Sequence, residues 1–306
     1  MKVVSVINCK GGVGKTTITA NLGAYIASKP KRVLLIDLDP QAHLTFNFID
    51  IGEWSKRYAE NKTIRDCFKS FTRGESDYLA PLSKFIITAR AGDHKVDIIT
   101  SHLDLLSTET ELNAMINVMN DTIRAASFLK LHCLLRNALA ELRNNYDLVL
   151  FDCPPNFNVL VKNAIVASDY YIVPAKLDYL SSVLGVESLQ QNINKFVEQY
   201  EMHRNFLKSN KYSPVLINML GIVPMMVNFW RNDTLINTQE DFIKELEQKN
   251  YYIFQPIRNN STVFGSGPQV GFPVVLTKPK IFQKTQRAIV KELEDLGNEF
   301  LKRIKI

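Results

Sequence analysis

The sequence runs to 306 residues, 46% hydrophobic and 22% charged, a composition that can bury a sizeable core and excludes a disordered chain. Its four cysteines, Cys9, Cys67, Cys133 and Cys153, show no C-x-x-C spacing and make no recognisable metal set with the five histidines, so they read as small buried residues in a reducing cytoplasm. The net charge of +6 is uneven: residues 201–306 carry 15 basic and 10 acidic groups, and no Asp or Glu falls between Glu247 and Glu292, which points to a polyanion as partner.

Met1-Lys2 leads straight into the short apolar run Val3–Ile7, so no signal peptide is expected, and no run of about 18 apolar residues suggests a membrane span. Lys2–Asn8 reads as a buried strand. Lys15–Ser28 reads as a helix, with Ile18, Leu22, Tyr25 and Ile26 at helical spacing and Pro30 ending it. Val33–Ile36 is a second buried strand closing on Asp37-Leu38-Asp39-Pro40-Gln41, and strand–helix–strand order predicts a right-handed parallel crossover. Residues 50–95 combine a polar stretch (Glu53–Asn61), a short helix (Thr63–Phe71) and turn composition (Gly74–Leu82), and read as an elaboration on the sheet. Strands follow at Val96–Thr100, Asp147–Phe151, Tyr170–Val173 and Val215–Val223, separated by helical patterns around 122–144, 180–207, 234–249 and 280–304. This alternation predicts an α/β fold: one domain over 1–306 with a doubly wound, mostly parallel sheet and helices on both faces.

Lys10-Gly11-Gly12-Val13-Gly14-Lys15-Thr16-Thr17 lies between the first strand and the first helix, the setting phosphate-loop chemistry requires. Glycines let backbone N–H groups turn toward a triphosphate, and the helix start adds its positive end. Lys15 is expected on the β- and γ-phosphates of ATP, and Thr16 to offer its hydroxyl to Mg²⁺. Asp37 and Asp39 leave the second strand on one side of the chain, where both could face the nucleotide or form a solvated acidic turn. Leu148-Val149-Leu150-Phe151-Asp152 is an apolar run closing on a carboxylate, as a strand must be for its aspartate to reach Mg²⁺ through water.

The two-lysine loop, D-x-D-P-Q at 37–41 and Asp152-Cys153-Pro154-Pro155 together resemble the ParA/MinD family of deviant Walker A ATPases, most closely a short ParA-type partition ATPase. The similarity covers about residues 1–48 and 96–306. It implies that Lys10 reaches across an ATP-bound homodimer to the partner's phosphates, that Asp39 positions the attacking water and that Asp37 supports the metal shell. Pro256-Ile257-Arg258-Asn259 is similar to the family's adenine-lining I-P-R-N segment, with one extra residue between proline and arginine. The resemblance also implies nonspecific double-stranded DNA and a ParB-like, cargo-bound protein as partners, in the cytoplasm and on the nucleoid. Lys278, Lys280, Lys284, Arg287 and Lys291 supply the charge for DNA, four of them on one helix face, and Arg231 is a further candidate; a solvated basic helix face is the other reading.

Three other members of the family set the alternatives. A MinD-like membrane-associated regulator would use Phe300, Leu301, Ile304 and Ile306 beside the terminal cations. Ala288, Ile289, Leu293, Leu296, Phe300 and Ile304 instead form one stripe, as in a final helix docked on a core, so no stable membrane association is expected. An ATPase that positions a protein cargo shares the same site. Cys133 and Cys153 do not stand where a nitrogenase-reductase-like cluster needs them, and with the first strand starting at residue 2 no operator-reading extension is expected.

Overall fold

The computed structural model describes residues 1–115, 120–178, 183–208, 210–230, 234–260, 263–264, 273–277 and 284–306. Eight strands form one sheet: β1 (Lys2–Val6), β2 (Val33–Asp37), β3 (Ile87–Ala91), β4 (His94–Ile99), β5 (Leu148–Asp152), β6 (Tyr170–Lys176), β7 (Asn218–Val227) and β8 (Ile257–Arg258). Their order is β3-β4-β2-β5-β1-β6-β7-β8, parallel throughout except for the antiparallel β3–β4 pair. The central strands β1, β2 and β5 are near-continuous apolar runs because helices cover both of their faces. The chain leaves β1 toward β2 on one side and later returns to add β6 on the other. Such a reversal opens a crevice at the carboxyl ends of the strands, where α/β sheets bind ligands.

The helices are α1 (Lys15–Ala27), α2 (His43–Phe46), α3 (Ile51–Arg57), α4 (Ile64–Thr72), α5 (Leu105–Ala114), α6 (Asp121–His132), α7 (Leu134–Leu139), α8 (Val159–Ala167), α9 (Leu184–Leu207), α10 (Asn237–Gln248) and α11 (Lys284–Ile304). On one sheet face, Val4, Val6, Leu35 and Leu150 pack with Ile18 and Leu22 of α1 and with Ile289, Leu293, Leu296, Phe300 and Ile304 of α11. On the other, Val3, Leu34, Val149 and Phe151 pack with residues of α4 to α9. The apolar stripe of the last helix is therefore core, and no described helix is long and apolar enough to cross a membrane.

Residues 50–95 pack into the same core as the strands. Ile64, Cys67, Phe68 and Leu82 are fully buried, and α4 starts on a reciprocal cap in which the Thr63 N–H donates to Asp66 Oδ2 at 3.0 Å. This region also contributes β3, which the sequence reading missed along with β8, α5 and α8. The start expected for helix 280–304 lies outside the described residues, as does that of helix 180–207 as far as 182.

The crossing of α1 and α11 is close. A Cβ at Gly297 would lie 2.2 Å from Tyr25 Cδ1, and the Tyr25 hydroxyl donates to Asn298 Oδ1 at 2.6 Å. Gly297→Val is expected to overpack this contact and lower stability by about 1–3 kcal/mol, read as a lower urea midpoint at unchanged slope. An unmoved midpoint would show that the helices can part without cost.

Candidate nucleotide site

The loop between β1 and α1 is pinned before it turns. Asn8 is buried; its Nδ2 donates to Pro174 O on β6 at 2.8 Å, and its Oδ1 accepts from the Lys10 N–H at 2.9 Å. Gly12 (φ +68°) and Gly14 (φ +94°) then take left-handed conformations that side chains disfavour, and a Cβ at Gly14 would also lie 2.6 Å from Met225 Cε of β7. Gly11 and Val13 complete the turn, with Val13 buried. The N-cap of α1 is Gly14, which makes no side-chain cap hydrogen bond, so the helix start is left for an anion to cap through its first-turn N–H groups.

The two lysines of the loop part company. Lys15 is only 7% exposed, its Nζ donates to Lys10 O at 3.0 Å, and burial holds its ammonium below the usual lysine pKa while the charge of Asp152 opposes the shift. The Lys10 side chain is 44% exposed, with its Nζ 3.7 Å from Asp178 Oδ1 on the rim.

Parallel pairing sets Asp37 opposite Asp152 at the ends of β2 and β5. Asp152 Oδ2 accepts from Thr16 Oγ1 at 2.7 Å and Oδ1 from Thr19 Oγ1 at 3.0 Å. Burial pushes its carboxyl up to about 7, against those two hydrogen bonds. Asp37 is also fully buried: Oδ1 accepts from the Asp39 N–H at 3.1 Å, and Oδ2 from the Thr45 N–H and hydroxyl at 2.8 and 2.7 Å. Burial first, and Asp152 second, hold its carboxyl well above the ordinary range. Asp39, nearly buried on the next turn, accepts from the Gln41 N–H at 2.9 Å.

Two buried acids beside a hydroxyl form a site that a cation relieves. Among the described residues no three His, Cys, Asp or Glu side chains converge into a protein cage. The Thr16–Asp152 oxygens instead suit Mg²⁺, which keeps phosphate and water ligands around one or two protein groups. The glycine turn and the open helix start suit a triphosphate.

The Pro256–Asn259 segment reaches the same edge, because β8 pairs Ile257 with Met225 and Arg258 with Val227, and the Asn259 N–H donates to Val227 O at 2.8 Å. Arg258 is engaged within the fold. Its Nε donates to Glu292 Oε1 at 2.6 Å, its N–H to Glu292 Oε2 at 3.0 Å, and its guanidinium lies 4.7 Å from the Phe229 ring centroid. Lys249 pairs with Glu187, so two cations of the acid-free stretch are matched by acids distant in sequence.

Arg287 and Lys291 are exposed on α11 and line, with Lys29 and Tyr25, a cleft of about 510 Å³ against α1 that Glu294 and Asp295 share. Lys278, Lys280 and Arg231 lie outside the described residues, as does the side chain of Lys284. Sequence reasoning missed Asn8, Thr19, Thr45 and Met225. Of these only Thr19 carried a local signal, since it lies one helical turn after Lys15.

A family model described as an AAA domain matches residues 1–207. The chain is 29% identical over 279 residues to the sporulation initiation inhibitor protein Soj of Bacillus subtilis, covering 91% of this chain and 92% of Soj. It is 34% identical over 197 residues to the chromosome partitioning protein ParA of Caulobacter vibrioides, covering 64% and 63%. Among solved structures, the fold is similar to that of a cobyrinic acid a,c-diamide synthase from Mycobacterium smegmatis with bound ATP analogue and magnesium, at 23% identity, a TM-score of 0.64 and coverage of 100% and 96%.

Proposed function

The chain belongs to the AAA-domain family, in its ParA/MinD-type branch, and from that premise we propose that it is an ATPase that dimerises with ATP, binds nonspecific double-stranded DNA and partitions or positions a plasmid, chromosome or other cargo. The observation that carries this reading is the divergence of the two loop lysines, Lys15 buried in the cradle and Lys10 half-exposed on its rim. A second cation next to Lys15 would be repelled by it, whereas one directed outward can neutralise phosphate charge on another copy.

Bound ATP with Mg²⁺ supplies the γ-phosphoryl group and the metal charge. The N–H groups of Gly11 to Thr17 hold the phosphates, and Lys15 neutralises the β- and γ-oxygens. Thr16 and Asp152 would hold the metal, with Asp37 behind them. Asp39 orients the attacking water, and Pro256, Arg258 and Asn259 border the base. Arg287 and Lys291, continued in sequence by Lys278, Lys280 and Lys284 and joined by Arg231, contact DNA phosphates. A ParB-like protein on the cargo accelerates hydrolysis and releases the dimer, in the cytoplasm and on the nucleoid. Burial of the α11 stripe supports DNA over a membrane surface.

The test is duplex retention with ATP, with ADP and without nucleotide across a salt series. Binding is expected only with ATP, with log K falling by about 0.9 per phosphate contact for each tenfold rise in salt. Equal retention in all three states, or none in any, removes the DNA reading.

A further inference from the structure

We propose that Thr45 is a positioning residue for ATP hydrolysis: through the buried carboxylate of Asp37 it fixes the turn that carries Asp39. The inference rests on the reading of Asp39 as the group that orients water.

Three hydrogen bonds link the end of β4 to the Asp39 turn and converge on Asp37. The Ser101 N–H, just past the end of β4, donates to Thr45 Oγ1 at 3.0 Å. Because that oxygen already accepts, its proton is directed to Asp37 Oδ2 at 2.7 Å. The other oxygen of Asp37 accepts from the Asp39 N–H at 3.1 Å. Thr45 and Asp37 are both fully buried, so neither water nor a rotamer change substitutes for these partners at low cost.

The segment held this way needs holding. Between Asp39 and α2 the chain passes through Ala42 at φ +54°, a left-handed conformation that a non-glycine residue keeps only when its surroundings impose it. A second clamp follows. Phe46 meets the Trp54 ring edge-on at 5.4 Å, and Trp54 lies 5.5 Å from His102. The end of β4 also receives the Ile64 N–H on Thr100 O at 2.8 Å. Residues of the 50–95 region thus buttress the Asp39 turn from behind.

The experiment compares wild type with Thr45→Val, Thr45→Ser, Asp39→Ala and the Thr45→Val/Asp39→Ala double variant, measuring ATP turnover alongside affinity and stoichiometry for a fluorescent ATP analogue, which count only folded molecules. Valine keeps the volume and removes the hydroxyl. Its kcat is expected to fall by about ten- to a hundredfold, with analogue affinity within about twofold of wild type. Serine should restore turnover, and valine should add nothing to Asp39→Ala. Unchanged turnover in Thr45→Val, no rescue by serine, a parallel loss of affinity, or a further fall in the double variant overturns the positioning role alone. Undiminished turnover in Asp39→Ala removes the assignment of Asp39 itself, and this role with it.

Discussion

Lys15→Ala is expected to abolish ATP binding without harming the fold. Its ammonium is nearly buried and donates to Lys10 O. Removing one partner of a buried, hydrogen-bonded charge pair costs about 2–5 kcal/mol, an affinity loss of roughly thirtyfold to several thousandfold. The unliganded protein should lose nothing, because burial already disfavours this charge, as the lowered pKa records. Two readings check it together: isothermal titration with ATP and Mg²⁺ should give no measurable heat, and the nucleotide-free melting temperature should match or exceed that of wild type. A variant that melts early instead would make Lys15 a structural cation. The thermal shift produced by ATP in wild type should vanish, since a ligand stabilises only the state it binds.

Lys10→Ala should behave in the opposite way. The carbonyl that receives Lys15 belongs to the backbone and survives the substitution, and the rim contact with Asp178 joins two half-exposed groups, so the cradle should bind nucleotide within about twofold of wild type. Loss is expected between copies, where the proposed role would set the Lys10 ammonium against a phosphate shielded from water on both sides. Light scattering during gel filtration with a non-hydrolysable ATP analogue should show wild type as a dimer and the variant as a monomer, corresponding to a dimer affinity weakened by about a hundredfold or more. Equal dimer formation by the two proteins would overturn the role across the interface.

Much of the site was legible because it is written in short contiguous strings. The glycine loop, the apolar run into Asp152 and the acids after β2 each announce a strand end followed by a turn, and all three meet at one edge of the sheet. What was not legible depends on partners remote in sequence. Arg258 looked like a cation in an acid-free stretch, yet Glu292, thirty-four residues on, takes both its N–H and its Nε–H. Asp37 was expected to face the nucleotide beside Asp39 and support the metal shell, but Thr45 and the Asp39 N–H occupy both of its oxygens. Among the elements, β8 is two residues long, too short to show a period, whereas β3 alternates buried Ile87, Ala89 and Ala91 with exposed Thr88 and Arg90, a period-two signal that reading 50–95 as an elaboration passed over. The buried aromatic residues of 50–95, by contrast, were visible in the sequence; what was missing was α5, whose Leu105 and Leu112 join them in one core.

The antiparallel β3 has a consequence away from the nucleotide. It forms one margin of the sheet, and an exposed strand margin is a template on which further chains can add as ribbon. Arg90 and Lys95 stand directly across from each other on this hairpin, both exposed, so a second molecule aligning there would bring four cations abreast. At the opposite margin, β8 offers a backbone of only two residues. Side-by-side strand addition is thus opposed by charge at one margin and offered almost no backbone at the other, a safeguard against aggregation carried by a hairpin at the far margin of the sheet from β8.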